Sequence, residues 1–247
     1  MEKFNIDINC DVGEGIGNEE AILPLISSCN IACGGHAGDK ESMTRTVILA
    51  KEHKVLVGAH PSYPDTENFG RSTMAIDSDR LSLSIQNQIK GLQSILDHEQ
   101  VTLHHIKAHG ALYNDLAKDK SLAENYLSAI KAYKPSVHLY VPPNSVIAKL
   151  ARDRGFSVKF EAFADRNYNE DLSLVSRKLP NAVINEPKAV LNHLARMVKQ
   201  GMVVTLNGVE CAMNADTYCL HGDTPNAFQI LMYLSNELPK QQIYIKK

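Results

Sequence analysis

Four histidines, His36, His60, His109 and His221, each stand in a segment of small residues and glycines, and three of these segments directly follow a short apolar run. The segments read Ala32-Cys33-Gly34-Gly35-His36-Ala37-Gly38-Asp39, Val57-Gly58-Ala59-His60-Pro61, Ile106-Lys107-Ala108-His109-Gly110-Ala111-Leu112-Tyr113 and Leu220-His221-Gly222-Asp223-Thr224-Pro225. Parallel α/β folds collect their chemistry at strand ends and in the loops after them, so this layout reads as an active site at one rim of a sheet. Carboxylates accompany the imidazoles. Asn9-Cys10-Asp11-Val12-Gly13-Glu14 puts Asp11 at a strand end and Glu14 three residues on, a pair suited to acid–base work or metal binding. A loop whose Asp caps the next turn has the same pattern.

His36 stands among residues too small to bury it well, which favours a functional reading, whereas Asp39 reads as the cap of the helix that follows. His60 opens the stiff loop Pro61-Ser62-Tyr63-Pro64-Asp65, whose entropy is largely lost before anything binds. Lys107 and His109 are two apart on a strand and share a face, with Tyr113 just beyond. A lysine inside a barrel is costly unless paired or used, so Lys107 is either the partner of a carboxylate such as Glu161 or a donor to an oxyanion or a substrate carboxylate. Glu161, Phe163 and Asp165 also share a face, and the structural alternative for Asp165 is a loop-holding pair with Arg166. His221 precedes a glycine turn and a helix start whose N–H groups suit an anion, with Thr224-Pro225 as the cap. His104 and His105 point to opposite faces, and at least one is an ordinary half-buried residue.

The elements that position these groups alternate. Apolar β-rich runs at 4–11, 30–34, 55–60, 103–109, 137–141, 158–163, 203–206 and 218–221 are separated by helical patterns, which implies parallel βα units. The clearest helix spans 79–98, with Leu81, Ile85, Ile89, Leu92 and Leu96 on one stripe. Further helices fit 40–52, 121–133, 144–154, 187–199 and 224–238. With 247 residues, no linker and no internal repeat, the expectation is one domain, an α/β fold built as an irregular (β/α) barrel of seven or so parallel strands. A hairpin near Asn207-Gly208 need not belong to the barrel.

Composition narrows the function. A balance of 26 Lys+Arg against 28 Asp+Glu, with no basic cluster interleaved with aromatics, argues against nucleic acid. No apolar run approaches the roughly 18 residues of a membrane span, and the chain starts in a strand pattern, so a cytoplasmic location is expected. Five cysteines, an odd number, point to reduced thiols. Cys29 and Cys33, on one strand, lie roughly 13 Å apart, too far to share a zinc, and with Cys211 and Cys219 they read as core. Gly13, Gly15 and Gly17 fall short of a dinucleotide fingerprint because Asn18 stands where the last glycine is needed. No G-x-x-x-x-G-K-S/T occurs, so any ATP used is expected on another chain.

Together these segments, with Phe69-Gly70-Arg71 and Phe163-Ala164-Asp165-Arg166 followed by Tyr168, resemble the LamB/YcsF family over nearly the whole chain. Departures are local: Gly35 where a bulkier residue is usual, Ser72 for a second Arg, and Leu172 for a Gly. The resemblance implies a glycoside hydrolase/deacetylase-like barrel and a place in an ATP-dependent 5-oxoprolinase, with partner B and C subunits, that opens 5-oxo-L-proline to L-glutamate. The expected catalytic residues are Asp11, Glu14, His36, His60, Lys107, His109 and His221. Arg71, Tyr113, Glu161, Asp165, Arg166 and Asp223 are expected at the substrate. ATP is expected mainly on the partners, and fold analogy implies a divalent metal on Asp11, His36 and His60. A free-standing metal-dependent amidohydrolase or carbohydrate deacetylase, and a non-catalytic protein that binds a small acid for its partners, are the alternatives; self-association stays open.

Overall fold

The structure, a computed structural model, describes residues 2–247. The chain opens with β1 (Phe4–Ile6) and β2 (Ile8–Val12), then passes a single helical turn, α1 (Glu19–Ile22), into β3 (Ser28–Ala32). Helices and strands then alternate as α2 (Lys40–Glu52), β4 (Leu56–His60), α3 (Ser78–Glu99), β5 (Leu103–Lys107), α4 (Gly110–Leu116), α5 (Lys120–Ala129), β6 (His138–Val141), α6 (Val146–Asp153), β7 (Ser157–Phe163) and α7 (Pro187–Gln200). A hairpin, β8 (Met202–Val204) and β9 (Glu210–Ala212), precedes β10 (Thr217–Cys219), α8 (Ala227–Glu237) and β11 (Ile243–Ile245).

Seven strands close a barrel in the order β10-β2-β3-β4-β5-β6-β7, with every neighbouring pair parallel. Two sequence expectations change. The run 4–11 is two strands, because Asp7 turns its side chain to Ser28 and Thr217 at the barrel floor while β1 continues outside to pair with β11. The run at 203–206 lies outside the barrel, in an antiparallel hairpin closed over Asn207-Gly208. Among the described residues no helix is long and apolar enough to cross a membrane.

The outer ring forms for ordinary reasons. Leu81, Ile85, Ile89, Leu92 and Leu96 of α3 are all buried, each contributing about 1.5–3 kcal/mol by leaving water. Asp77 caps this helix through the Asp79 and Arg80 amides, and Asp39 forms a capping box with Ser42 at the start of α2. The barrel interior, by contrast, carries a polar column. Asn9 donates to Thr217, and Asn30 donates to Asn9 and to Asp11 at 2.7 Å each. His105 donates its Nε2–H to Asn30 Oδ1 at 2.6 Å and stacks on Tyr140. Gly58 makes room for that imidazole, since a Cβ there would lie 2.1 Å from His105 Nε2. This column sits directly beneath the strand ends.

Candidate active site

The strand ends surround a cavity of about 610 Å³. Its floor is formed by Asp11 from β2, His60 from β4, Lys107 from β5 and Glu161 from β7, with Glu14, His109 and His221 from the loops that follow their strands. Around the mouth stand Arg71, Lys118, Arg177 and Lys178. The floor is therefore built from carboxylates and imidazoles around one lysine, and at the mouth the four cations outnumber two carboxylates, Asp171 and Asp223.

Lys107 is 2% exposed and has three acceptors around its ammonium: Asp11 Oδ1 at 2.8 Å, Glu161 Oε1 at 3.0 Å and Cys219 Sγ at 3.2 Å. Asp11 and Cys219 accept hydrogen bonds from it, and Glu161 Oε1 faces it as an ion pair without hydrogen-bond geometry. Burial alone would lower the lysine's pKa, but Asp11, Cys219 and Glu161 outweigh it and raise it well above the usual value. Burial would likewise raise the Asp11 carboxyl, yet His60 and Lys107 hold it well below the usual carboxylate range. Both Glu161 oxygens and the Tyr113 hydroxyl are buried at the cavity without a hydrogen bond of good geometry among the described residues, with Tyr113 close enough to Glu161 that burial and this carboxylate push its hydroxyl pKa well up.

The imidazoles form a second cluster. His60 donates from Nδ1 to the Lys107 carbonyl at 2.9 Å, and His109 donates from Nε2 to the Phe69 carbonyl at 2.9 Å. The other nitrogens of these two rings meet at 3.0 Å. His36 contacts Glu14 Oε1 through Nε2 at 2.9 Å and stacks on His109 with ring centroids 3.5 Å apart. Contrary to the sequence reading, His36 is buried, because His109 and Phe69 cover it from segments distant in the chain. Burial, aided by neighbouring imidazoles, pushes the pKa of His109 well below the ordinary value and that of His36 below it, so both are neutral near pH 7.

On the opposite wall Asp165 accepts from the His221 amide and from His221 Nδ1, both at 3.0 Å, and from the Thr224 hydroxyl. Burial would raise this carboxyl, but His221 and Thr224 lower it. The contact fixes the tautomer of His221, leaving Nε2 for the cavity the ring lines. The structural alternative for Asp165, a pair with Arg166, does not form. Arg166 instead donates to the Val175 and Ala182 carbonyls and ties down the loop beyond β7. The anion that the His221 amide receives is the chain's own Asp165 carboxylate, so that N–H is not left for a ligand. Asp223 bridges Arg71 and Arg177 across the mouth.

The structure thus brings every expected catalytic residue to one cavity or its immediate wall. It does not converge the expected ligand trio. Among the described residues, ligand-type atoms lie within 4.8 Å of one another in Asp11, Glu14, His60 and His109 and, as a smaller second set, in Asp11, Cys219 and His221, while His36 turns to Glu14 and belongs to neither. Sequence reasoning passed over Asn30, which orients Asp11, and Arg177 at the mouth. Period 2 from the strand end at Ala32 would have aimed Asn30 inward, whereas Arg177 sits in an irregular loop with no periodic signal. Cys219, read as plain core, is buried but faces Lys107.

Fold and site together define a parallel α/β barrel with a carboxylate–imidazole centre at the C-terminal strand ends. The model of the LamB/YcsF family matches residues 6–247, and the chain belongs to that family. It is 39% identical over 240 residues to the A subunit of 5-oxoprolinase from Haemophilus influenzae (strain PittEE), covering 97% of this chain and 98% of that protein. The crystal structure of the lactam utilization protein from Thermus thermophilus superposes with a TM-score of 0.91 at 37% identity, covering 98% and 99% of the two chains. A family 4 carbohydrate esterase from Streptomyces lividans shares the fold, with a TM-score of 0.52 at 8% identity over 99% and 92% of the chains.

Proposed function

We propose that this chain opens the lactam ring of 5-oxo-L-proline as the A subunit of an ATP-dependent 5-oxoprolinase, with B and C subunits binding the ATP. The observation that carries the reading is a cationic mouth above a floor of engaged lysine, carboxylates and imidazoles. Its support is likeness over nearly the whole chain to a protein named as the A subunit of 5-oxoprolinase. A five-membered lactam is an unreactive amide. Phosphorylation of its oxygen by ATP makes the carbon electrophilic enough for water, which accounts for the coupling. The chain has no phosphate-binding glycine loop of its own.

In this scheme the substrate's carboxylate or phosphoryl group pairs with Arg71 and Arg177, and the ring carbon reaches the floor. His221, oriented by Asp165, takes a proton from water through Nε2 and returns it to the ring nitrogen as the C–N bond breaks. Attack sends the C=N electron pair to the ring nitrogen; Glu161 Oε2 accepts the remaining hydroxyl proton as the acyl-phosphate C=O forms and the C–N bond breaks, and the Tyr113 hydroxyl donates to the oxygen that carries the phosphoryl group. A second water hydrolyses the acyl phosphate, giving glutamate and phosphate. Unpaired cysteines and a need for ATP suit the cytoplasm.

The test is reconstitution. Mixed with B and C subunits, the chain should release glutamate and ADP from 5-oxo-L-proline and ATP, and omission of any component should stop both. Appreciable ATP turnover by the isolated chain would contradict the division of labour. Ring opening or sugar deacetylation by the isolated chain without ATP would establish a free-standing hydrolase instead.

A further inference from the structure

Two imidazoles whose outer nitrogens both donate to carbonyls must present lone pairs on their inner nitrogens when neutral. His60 donates to the Lys107 carbonyl and His109 to the Phe69 carbonyl, so His60 Nε2 and His109 Nδ1 face each other at 3.0 Å as two acceptors. Asp11 Oδ2 lies 3.5 Å from His60 Nε2, and Glu14 Oε1 lies 3.4 Å from His109 Nδ1. Four electron-rich atoms thus converge at a buried point. The nearby cation, Lys107, spends itself on the other oxygen of Asp11, on Glu161 and on Cys219. Acceptors gathered in this way repel one another unless something positive lies between them.

We infer that Asp11, Glu14, His60 and His109 form a binding site for one divalent transition-metal ion per chain. Two imidazole nitrogens and two carboxylate oxygens suit zinc, manganese or a similar ion better than magnesium or calcium, which prefer oxygen throughout. The surroundings independently match such a site. A ligating histidine nearly always donates its second ring N–H to a carbonyl or carboxylate, which fixes its orientation, and both rings do so here. Asn30 and Lys107 hold Asp11 by its Oδ1, leaving Oδ2 for the ion. His36 holds Glu14 by the same Oε1 that faces His109, which leaves Oε2 also open to the ion and gives His36 a positioning role in place of the ligand role that fold analogy gave it. Charge agrees as well: Asp11, Glu14, Glu161 and Asp165 are four buried carboxylates against two buried cations, Lys107 and Arg166. All four proposed ligands line the cavity, so a bound ion would keep an open face toward it.

Metal binding at these four residues is independent of which amide is the substrate. The test is binding of cobalt(II) to the whole chain after exhaustive chelation, read by calorimetry and by the visible absorption that cobalt acquires on nitrogen and oxygen ligands. One equivalent should bind, zinc should displace it, and the melting temperature should rise with metal. His109→Gln and Glu14→Gln, two separate conservative changes, should each weaken binding by at least about 10-fold, the scale of losing an orienting or ligating group. His36→Gln should weaken it less than either. No uptake of cobalt(II), zinc(II) or manganese(II) by the folded, chelated protein would overturn the inference, leaving a shared proton between His60 and His109 as the positive charge. Undiminished binding by both folded variants would also overturn it, by placing the ion elsewhere.

Discussion

Lys107 illustrates how a buried residue can be legible in kind and not in use. The sequence offered a pair with Glu161 or a donor to the substrate, and the structure engages the ammonium with Asp11, Glu161 and Cys219 at once. Lys107→Met leaves two buried carboxylates uncompensated, which should cost about 3–5 kcal/mol and lower the melting temperature by on the order of 10 °C. Differential scanning calorimetry checks this; a variant that melts with the wild type would show that the lysine is not the electrostatic hub. His221 is the contrasting case, since its ring is partly exposed at the cavity wall, stacks on Phe163 and, among the described residues, has Asp165 as its one side-chain hydrogen-bond partner. His221→Ala should therefore melt within a few degrees of the wild type, yet lower reconstituted turnover by at least about 10²-fold, the scale of losing a general acid–base group. Matching losses of stability and activity would reduce it to a structural contact. His36 shows where residue-level reading stops. Its small neighbours in sequence predicted exposure, but burial is decided by His109 and Phe69, which reach it through folding.

At the scale of elements, periodicity carried the reading. The 3.6-residue stripe of α3 and the short apolar runs gave helices and strands in their right order, because a closed barrel imposes those patterns on any sequence that forms it. The seven-residue α4 went unseen because it is too short to show a stripe and opens on Gly110, whose φ of +57° is a left-handed turn. Inside the barrel, β5 carries two consecutive histidines with different fates. His105 is fully buried against Asn30 and Tyr140; half-buried His104 approaches it Nδ1 to Nδ1 at 3.0 Å, with His138 and Lys159 close by. Burial, reinforced by the Lys159 and His138 charges, pulls the His104 pKa down to about 4, from 6.5. The unfolded chain takes up a proton below pH 6.5 that the folded chain refuses until about pH 4. Stability from this group is therefore full above 6.5 and falls as the pH drops through that window, by less than the ideal ~1.4 kcal/mol per pH unit because solvent screens the half-buried ring. Urea melts from pH 8 to 4.5 should show a steeper acid loss for the wild type than for His104→Asn. Parallel curves would mean that His104 is not a source of the pH dependence.

Across the whole molecule, the feature least visible in the sequence is the closure of the barrel floor, because it joins the two ends of the chain. β1 and β11 pair in parallel at Phe4–Ile243, Asn5–Tyr244 and Ile6–Ile245. Ser27 donates to the Lys246 carbonyl, and the Lys246 amide donates to the Ile6 carbonyl. Each segment alone is a three-residue strand with nothing to mark its partner, and no local pattern specifies a pairing across the length of the chain. The carboxylate–imidazole cluster lies at the opposite ends of the barrel strands, so closure and the proposed chemistry should be separable. A chain ending at Gln241 loses the fully buried Ile243 and the whole β1–β11 ladder, which should cost about 2–5 kcal/mol, as for a large core deletion. Its melting temperature should fall, and unfolding should begin from the floor, with amides of β1 exchanging before those of β4 and β5. Assayed with B and C subunits well below that melting temperature, the truncated chain should keep most of its turnover and an unchanged KM for 5-oxo-L-proline. Loss of turnover by the truncated chain while it remains folded would mean that the floor and the site are coupled through the polar column of Asp7, Asn9 and Asn30 rather than merely stacked.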